Sequence, residues 1–98
     1  MKEITTSELQ QQLENGAVLN MIDVREADEV AEGMIEGAIH IPLGEIPDRM
    51  NELDASQPYI MICRSGGRSG RATEFLTGHG FDVTNMVGGM LEWSGEVK

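Results

Sequence analysis

Short apolar runs alternate along the chain with segments in which apolar residues recur at the spacing of a helix. The runs are short and contain β-branched residues, which is typical of buried strands. They cover residues 17–24, 38–41, 59–62 and 81–87. The pattern therefore predicts at least these four strands, with helices between them.

The first predicted helix has the clearest boundaries. Thr5 and Glu8 have the spacing of a capping box, in which each residue bonds to the backbone of the other. Ile4 and Leu9 occupy the hydrophobic-staple positions around that box, and Asn15-Gly16 should end the helix. Further helices are predicted at residues 28–32, 46–53 and 69–78, with a short last helix that contains Leu91 and Trp93.

Strands that alternate with helices indicate an α/β fold, in which a mainly parallel sheet carries helices on both faces. Ligands of such sheets bind outside the carboxyl ends of the strands. Asp23 and Cys63 both lie at the carboxyl end of a predicted strand. The chemistry of the protein is therefore expected near these two residues.

Composition narrows the class of protein. The chain has 98 residues, of which 40% are hydrophobic, and its mean hydropathy of −0.24 indicates one soluble globular domain over residues 1–98. No apolar run approaches the roughly 18 residues that span a bilayer, and the N-terminus lacks a signal-peptide core. We therefore expect a cytoplasmic protein that does not enter a membrane.

Charge is distributed unevenly along the chain. The formal net charge is −10, and residues 1–54 carry all of it, with thirteen acidic and three basic residues. Such an acidic protein is not expected to bind nucleic acid or anionic membranes. Three of the seven basic residues, Arg64, Arg68 and Arg71, instead follow Cys63 within eight positions. This local positive charge points to a small anionic substrate.

Cys63 is the only cysteine, so it forms neither an internal disulfide nor a Cys-x-x-Cys pair. His40 and His79 lie far from it in sequence, so we expect no metal site, and no motif suggests a cofactor. A free thiol has a pKa of about 8.5, and lowering it to about 6.5 requires about 2.7 kcal/mol of stabilisation of the thiolate. The loop amides and the arginines are expected to supply most of that stabilisation, because a helix dipole contributes only about 0.3–1 kcal/mol.

The spacing Cys63 to Arg68 is Cys-x4-Arg. A loop with four residues between the cysteine and the arginine is tighter than the Cys-x5-Arg loop that surrounds phosphate in cysteine phosphatases and related arsenate reductases. The absence of a nearby histidine argues against a Cys-His hydrolase, and the absence of a second cysteine argues against a dithiol oxidoreductase. What remains is a thiolate that accepts an atom or group, carries it, and passes it on.

Four segments in order resemble the rhodanese family of sulfurtransferases. Residues 63–69 (CRSGGRS) resemble its active-site loop and residues 23–25 (DVR) its Asp-Val-Arg signature. Residues 37–42 (GAIHIP) resemble its Gly-Ala-x-x-Ile-Pro segment, and Gly88-Gly89 with Trp93 its Gly-Gly-x3-Trp pattern. Met34 departs from the family, which often has histidine at this position; we expect the position to be structural.

The resemblance implies a three-layer α/β/α fold with a mainly parallel sheet of about five strands. It also implies that Cys63 takes sulfur from a small anionic donor such as thiosulfate and passes it, through a persulfide, to cyanide or a cellular thiol. The substrate-binding loop would consist of Arg64, Ser65, Gly66, Gly67 and Arg68, supported by Asp23, Arg25 and Ser69. An alternative is a carrier or interaction module that exchanges sulfur with a dedicated partner protein.

Overall fold

Five parallel strands form a single sheet in the computed structural model, which describes residues 1–98. The order across the sheet is β1-β5-β4-β2-β3. The strands are β1 (Lys2–Thr5), β2 (Met21–Asp23), β3 (Ile39–His40), β4 (Pro58–Ile62) and β5 (Asp82–Val87).

Five α-helices connect or follow these strands: α1 (Thr6–Glu14), α2 (Ala27–Ala31), α3 (Ile46–Arg49), α4 (Gly67–Gly78) and α5 (Gly89–Glu92). Short 3₁₀ turns precede and follow α3, so the predicted helix over 46–53 is not continuous. None of the helices has the length and apolar content needed to cross a bilayer.

Hydrophobic clusters lie on both faces of the sheet, as its central strand illustrates. Successive side chains of a strand point to opposite faces. Met61 accordingly packs into a cluster of ten buried residues that includes Leu76 of α4, whereas Ile62 packs into a cluster of five that includes Leu9 of α1. The predicted α/β architecture, with helices on both faces of a parallel sheet, is confirmed.

Helix α1 begins where its capping signals place it. The Glu8 backbone N–H donates to the Thr5 hydroxyl at 3.1 Å, and the Thr5 N–H donates to the Glu8 carboxylate at 2.9 Å. Asn15 caps the other end. Both boundaries of α1 therefore follow from local sequence.

Two strand predictions were wrong in detail. The run at 17–24 forms a strand only from Met21 to Asp23, and Val18 is 98% exposed. Strand β1 was not predicted, because Lys2–Thr5 is mostly polar and exposed. It forms at the edge of the sheet by pairing with β5, with Ile4 opposite Met86. Pairing with a neighbour, rather than local propensity, decides such an edge strand.

Candidate active site

Cys63 directly follows β4, which lies between β2 and β5 near the middle of the sheet. Residues 64–66 then form a loop, and α4 begins at Gly67. Gly66 turns the loop with a φ of +101°, and a Cβ there would lie 3.3 Å from the Gly88 nitrogen. A side chain at this position would therefore be both strained and crowded. The glycine fixes the curve of the chain around the thiol.

Two groups of this loop and helix bond directly to the sulfur. The Gly66 N–H donates to Cys63 Sγ at 3.0 Å, and Ser69 Oγ lies 3.2 Å from the same atom. Burial raises the pKa of the Cys63 thiol, but hydrogen bonds from the Ser69 hydroxyl and from the Ser69, Gly66 and Ser65 amides outweigh burial. The net effect is a lowered pKa, so the thiolate forms more readily here than in a free cysteine.

The source of this stabilisation differs from the expectation. The amides contribute as predicted, but the largest favourable contribution comes from the Ser69 hydroxyl, and no arginine is among the main causes. Ser69 belongs to the first turn of α4, so the start of the helix brings its hydroxyl to the sulfur. The role of Ser69 is therefore electrostatic as well as structural.

Asn85 of β5 is a site residue that the sequence analysis missed. Its Nδ2 donates to the Gly66 carbonyl at 3.1 Å, and its Oδ1 accepts from the Ser69 hydroxyl at 2.5 Å. Asn85 is only 4% exposed. The sequence gives little signal for it, because Asp82 and Thr84 of the same strand are also polar. Because Ser69 has one hydroxyl proton, Asn85 and Cys63 share it as acceptors.

The Gly88-Gly89 pair holds the loop from the other side. The Met90 N–H donates to the Cys63 carbonyl at 2.8 Å, and the Leu91 N–H donates to the Arg64 carbonyl at 2.9 Å. Gly89 has a φ of +59°, and a Cβ on it would lie 2.4 Å from the Arg64 carbonyl oxygen. The backbone of the turn can therefore approach the loop only because residue 89 has no side chain.

The three arginines of the motif have different surroundings. Both terminal nitrogens of Arg68 bind the Glu29 carboxylate, at 2.6 and 2.7 Å. The Arg68 guanidinium lowers the pKa of Glu29 to about 2, so the carboxylate is charged at neutral pH. Arg64 and Arg71 are exposed and form no ion pair. Of the two arginines predicted to attract the anion, only Arg64 is unpaired.

Asp23 and Arg25 form a buried ion pair at the carboxyl end of β2. Arg25 Nη2 lies 2.9 Å from Asp23 Oδ2 and also donates to the Gly33 carbonyl at 2.7 Å. Neither side chain bonds to Cys63 or to residues 64–69. The pair ties the end of β2 to the turn after α2.

Cys63 has no exposed surface, whereas the next two residues of the loop, Arg64 and Ser65, are exposed. A cavity of about 290 Å³ beside the loop is lined by Arg25, Glu29, Glu32, Arg64, Met90 and Leu91. A larger cavity of about 530 Å³ lies elsewhere, around Trp93 and Gln10, and contains no residue of the loop. No three histidine, cysteine, aspartate or glutamate side chains are grouped so as to hold a metal ion.

Comparison with known proteins decides the family. The model of the rhodanese-like domain matches residues 5–96. The chain belongs to the rhodanese-like family. A Bacillus subtilis protein named "Putative sulfurtransferase YtwF" is 48% identical over 98 residues, which cover all of this chain and 95% of that protein.

Two further relatives extend this comparison. A rhodanese-like domain protein from Staphylococcus aureus has a crystal structure that is similar with a TM-score of 0.94 and 37% identity, covering 100% of this chain and 97% of that one. A second Bacillus subtilis protein, named "Putative sulfur carrier protein YrkF", is 39% identical over 98% of this chain but only 52% of its own length. The predicted family and fold are confirmed, and relatives with names from sulfur transfer support that general function.

Proposed function

We propose that this rhodanese-like chain is a sulfurtransferase in which Cys63 carries the transferred sulfur as a persulfide. The observation that carries the proposal is the Gly66 N–H at 3.0 Å from Cys63 Sγ, together with the lowered pKa of the thiol. Backbone donors that point at a sulfur stabilise negative charge there. They would favour a thiolate in the free enzyme and a charged persulfide in the loaded one.

The first half-reaction begins with attack by the Cys63 thiolate on the outer sulfur of thiosulfate. A new S–S bond forms, the bond within thiosulfate breaks, and sulfite leaves with its electron pair. In the second half-reaction, cyanide or a cellular thiolate attacks the outer sulfur of the persulfide. The bond to Cys63 then breaks, and the thiolate is restored.

Each residue of the loop has a role in this scheme. The amides of residues 64–68 would hold the persulfide anion, and Arg64 would attract the donor. Because Cys63 has no exposed surface, a donor can reach Sγ only after neighbouring groups move. We place Asp23 and Arg25 outside the reaction, where they keep the end of β2 in position.

We further propose that residues 1–98 act as one domain in the cytoplasm, without a cofactor. A lone free thiol is suited to a reducing compartment, where it does not form disulfides with other proteins.

A sulfur-carrier role is the second candidate function, favoured by the similarity to YrkF. In that role the chain would receive sulfur from a partner protein and would react poorly with thiosulfate. A phosphatase or arsenate reductase is disfavoured by the short Cys-x4-Arg spacing. Both terminal nitrogens of Arg68 are also engaged by Glu29, so they are not free to bind a phosphate.

The test is the intact mass of the protein after incubation with thiosulfate, followed by incubation with cyanide. Wild type should gain the mass of one sulfur atom and then lose it to cyanide as thiocyanate. Cys63→Ser should gain none, while its unfolding midpoint in urea stays close to that of wild type. If wild type gains no sulfur from either thiosulfate or a small persulfide, the sulfurtransferase proposal is wrong.

A further inference from the structure

We propose that Glu29 is a specificity-determining residue, because it neutralises Arg68 and so makes the Cys63 site select a thiol persulfide over the dianion thiosulfate. This inference rests on the proposed function and identifies the class of donor. Its basis is the ion pair between α2 and α4 at the edge of the active-site loop.

The Arg68–Glu29 contact is fixed by several bonds. Its two hydrogen bonds are parallel, at 2.6 and 2.7 Å, and both side chains are partly buried, with 32% and 23% of their surface exposed. Glu29 Oε1 also accepts the Glu26 N–H at 2.9 Å as part of the capping box of α2. A carboxylate held in this way has little freedom to release Arg68 when a substrate approaches.

Charge beside the loop is consequently almost balanced. The adjoining cavity presents Arg25 and Arg64 together with Glu29 and Glu32. Arg25 is already paired with buried Asp23, which leaves Arg64 as the one unpaired cation of this cavity. Because Glu29 is paired with Arg68, a doubly charged donor meets one unpaired arginine, Arg64, and one unpaired carboxylate, Glu32, so the site offers it little net attraction.

A thiol persulfide carries less charge than thiosulfate. Cysteine persulfide, for example, has a net charge of −1 when its sulfur is ionised, because its ammonium and carboxylate groups cancel. The reaction remains balanced: the Cys63 thiolate attacks the outer sulfur, the S–S bond of the donor breaks, and the cysteine thiolate leaves with the electron pair. Repulsion by Glu29 scales with the charge of the donor, so it weighs about twice as heavily on thiosulfate.

The experiment compares thiosulfate and cysteine persulfide as donors for wild type and Glu29→Gln. Glutamine keeps one oxygen that can accept the Glu26 N–H, but it removes the charge and one of the two oxygens that accept from Arg68. At low ionic strength, kcat/KM should rise about 10-fold for thiosulfate and about 3-fold for cysteine persulfide, which is half the effect on a logarithmic scale. Added salt should reduce both gains, because it screens exposed charges.

Glu32→Gln is the matched control. Glu32 lines the same cavity and its loss changes net charge equally, but it does not bind Arg68. We expect Glu32→Gln to change kcat/KM for either donor by about 2-fold or less. The double variant Glu29→Gln with Arg68→Gln has the net charge of wild type. The ratio of its kcat/KM values for the two donors should therefore return to the wild-type ratio. The double variant also separates charge from the broken ion pair, because both variants lack the pair but only Glu29→Gln changes the net charge.

The possible failures can be told apart. Equal gains for both donors, or an effect of Glu29→Gln no larger than that of Glu32→Gln, would overturn the role of Glu29 and leave the proposed function intact. Absence of Cys63-dependent transfer from both donors in wild type would overturn the proposed function and this inference with it.

Discussion

Replacement of Ser69 by alanine should raise the pKa of Cys63 and shift the pH dependence of the reaction. Ser69 is completely buried, and its Oγ lies 3.2 Å from Cys63 Sγ. Among the groups that favour the thiolate, this hydroxyl makes the largest contribution. Burial, which favours the neutral thiol, would remain unchanged in the variant. The loop amides would remain as well, so reactivity should fall without disappearing.

The size of the effect follows from the hydrogen bond that is lost. A hydrogen bond to a charged group contributes about 1.5–3 kcal/mol. The lower end applies here, because Asn85 competes for the same proton at 2.5 Å. About 1.4 kcal/mol corresponds to a factor of ten, so the ionisation constant of Cys63 should fall about 10-fold in Ser69→Ala.

The assay is the rate of alkylation of Cys63 by iodoacetamide as a function of pH. Below the titration of the thiol, Ser69→Ala should react about 10-fold more slowly than wild type. Above it, both proteins are fully ionised and should react at similar rates. Ser65→Ala is the matched control, because Ser65 is exposed and contributes its amide rather than its hydroxyl. A rate that falls by the same factor at every pH would refute the reasoning and indicate a distorted site instead.

Two further predictions concern the framework of the site. Asp23→Asn leaves the buried Arg25 guanidinium without its counter-charge and should lower the free energy of unfolding in urea by about 3–5 kcal/mol. The control, Glu45→Gln, breaks an exposed ion pair and should change this free energy little. Equal effects of the two variants would contradict the argument from the buried pair. Gly89→Ala forces a Cβ to 2.4 Å from the Arg64 carbonyl and should displace the loop, with slower alkylation of Cys63 and lower stability. Gly80 also has a positive φ but has open space around it, so Gly80→Ala should keep the wild-type alkylation rate. Similar losses of alkylation rate in both variants would show that backbone strain, not contact with the loop, is responsible.

Much of the fold follows from local patterns. The capping box of α1 places its start, and the apolar run before Cys63 predicts β4 because both signals involve neighbouring residues. Strand β1 could not be predicted in this way, since its polar residues acquire strand geometry only by pairing with β5, about 80 residues further along the chain.

The residues of the site also divide into those that local sequence predicts and those that only long-range contacts reveal. Glycine at position 66 marks the loop in the sequence, because a positive φ is a local requirement that few other residues meet. Asn85 carries no comparable signal. It acts through Ser69, sixteen positions earlier, and the two meet only because β5 lies beside β4 in the sheet.

The sequence by itself determined that Cys63 stands at the junction between an apolar strand and a glycine-containing, arginine-rich loop. Composition and spacing are sufficient for that conclusion, because strand periodicity and backbone freedom are properties of adjacent residues. Only the tertiary structure decided which charges act on a substrate. Arg64 and Arg68 look equivalent in the sequence, yet Glu29, 39 positions from Arg68, neutralises one of them and leaves the other free. Electrostatic attraction depends on distance in space, and the fold brings Glu29 of α2 within 2.6 Å of Arg68 of α4.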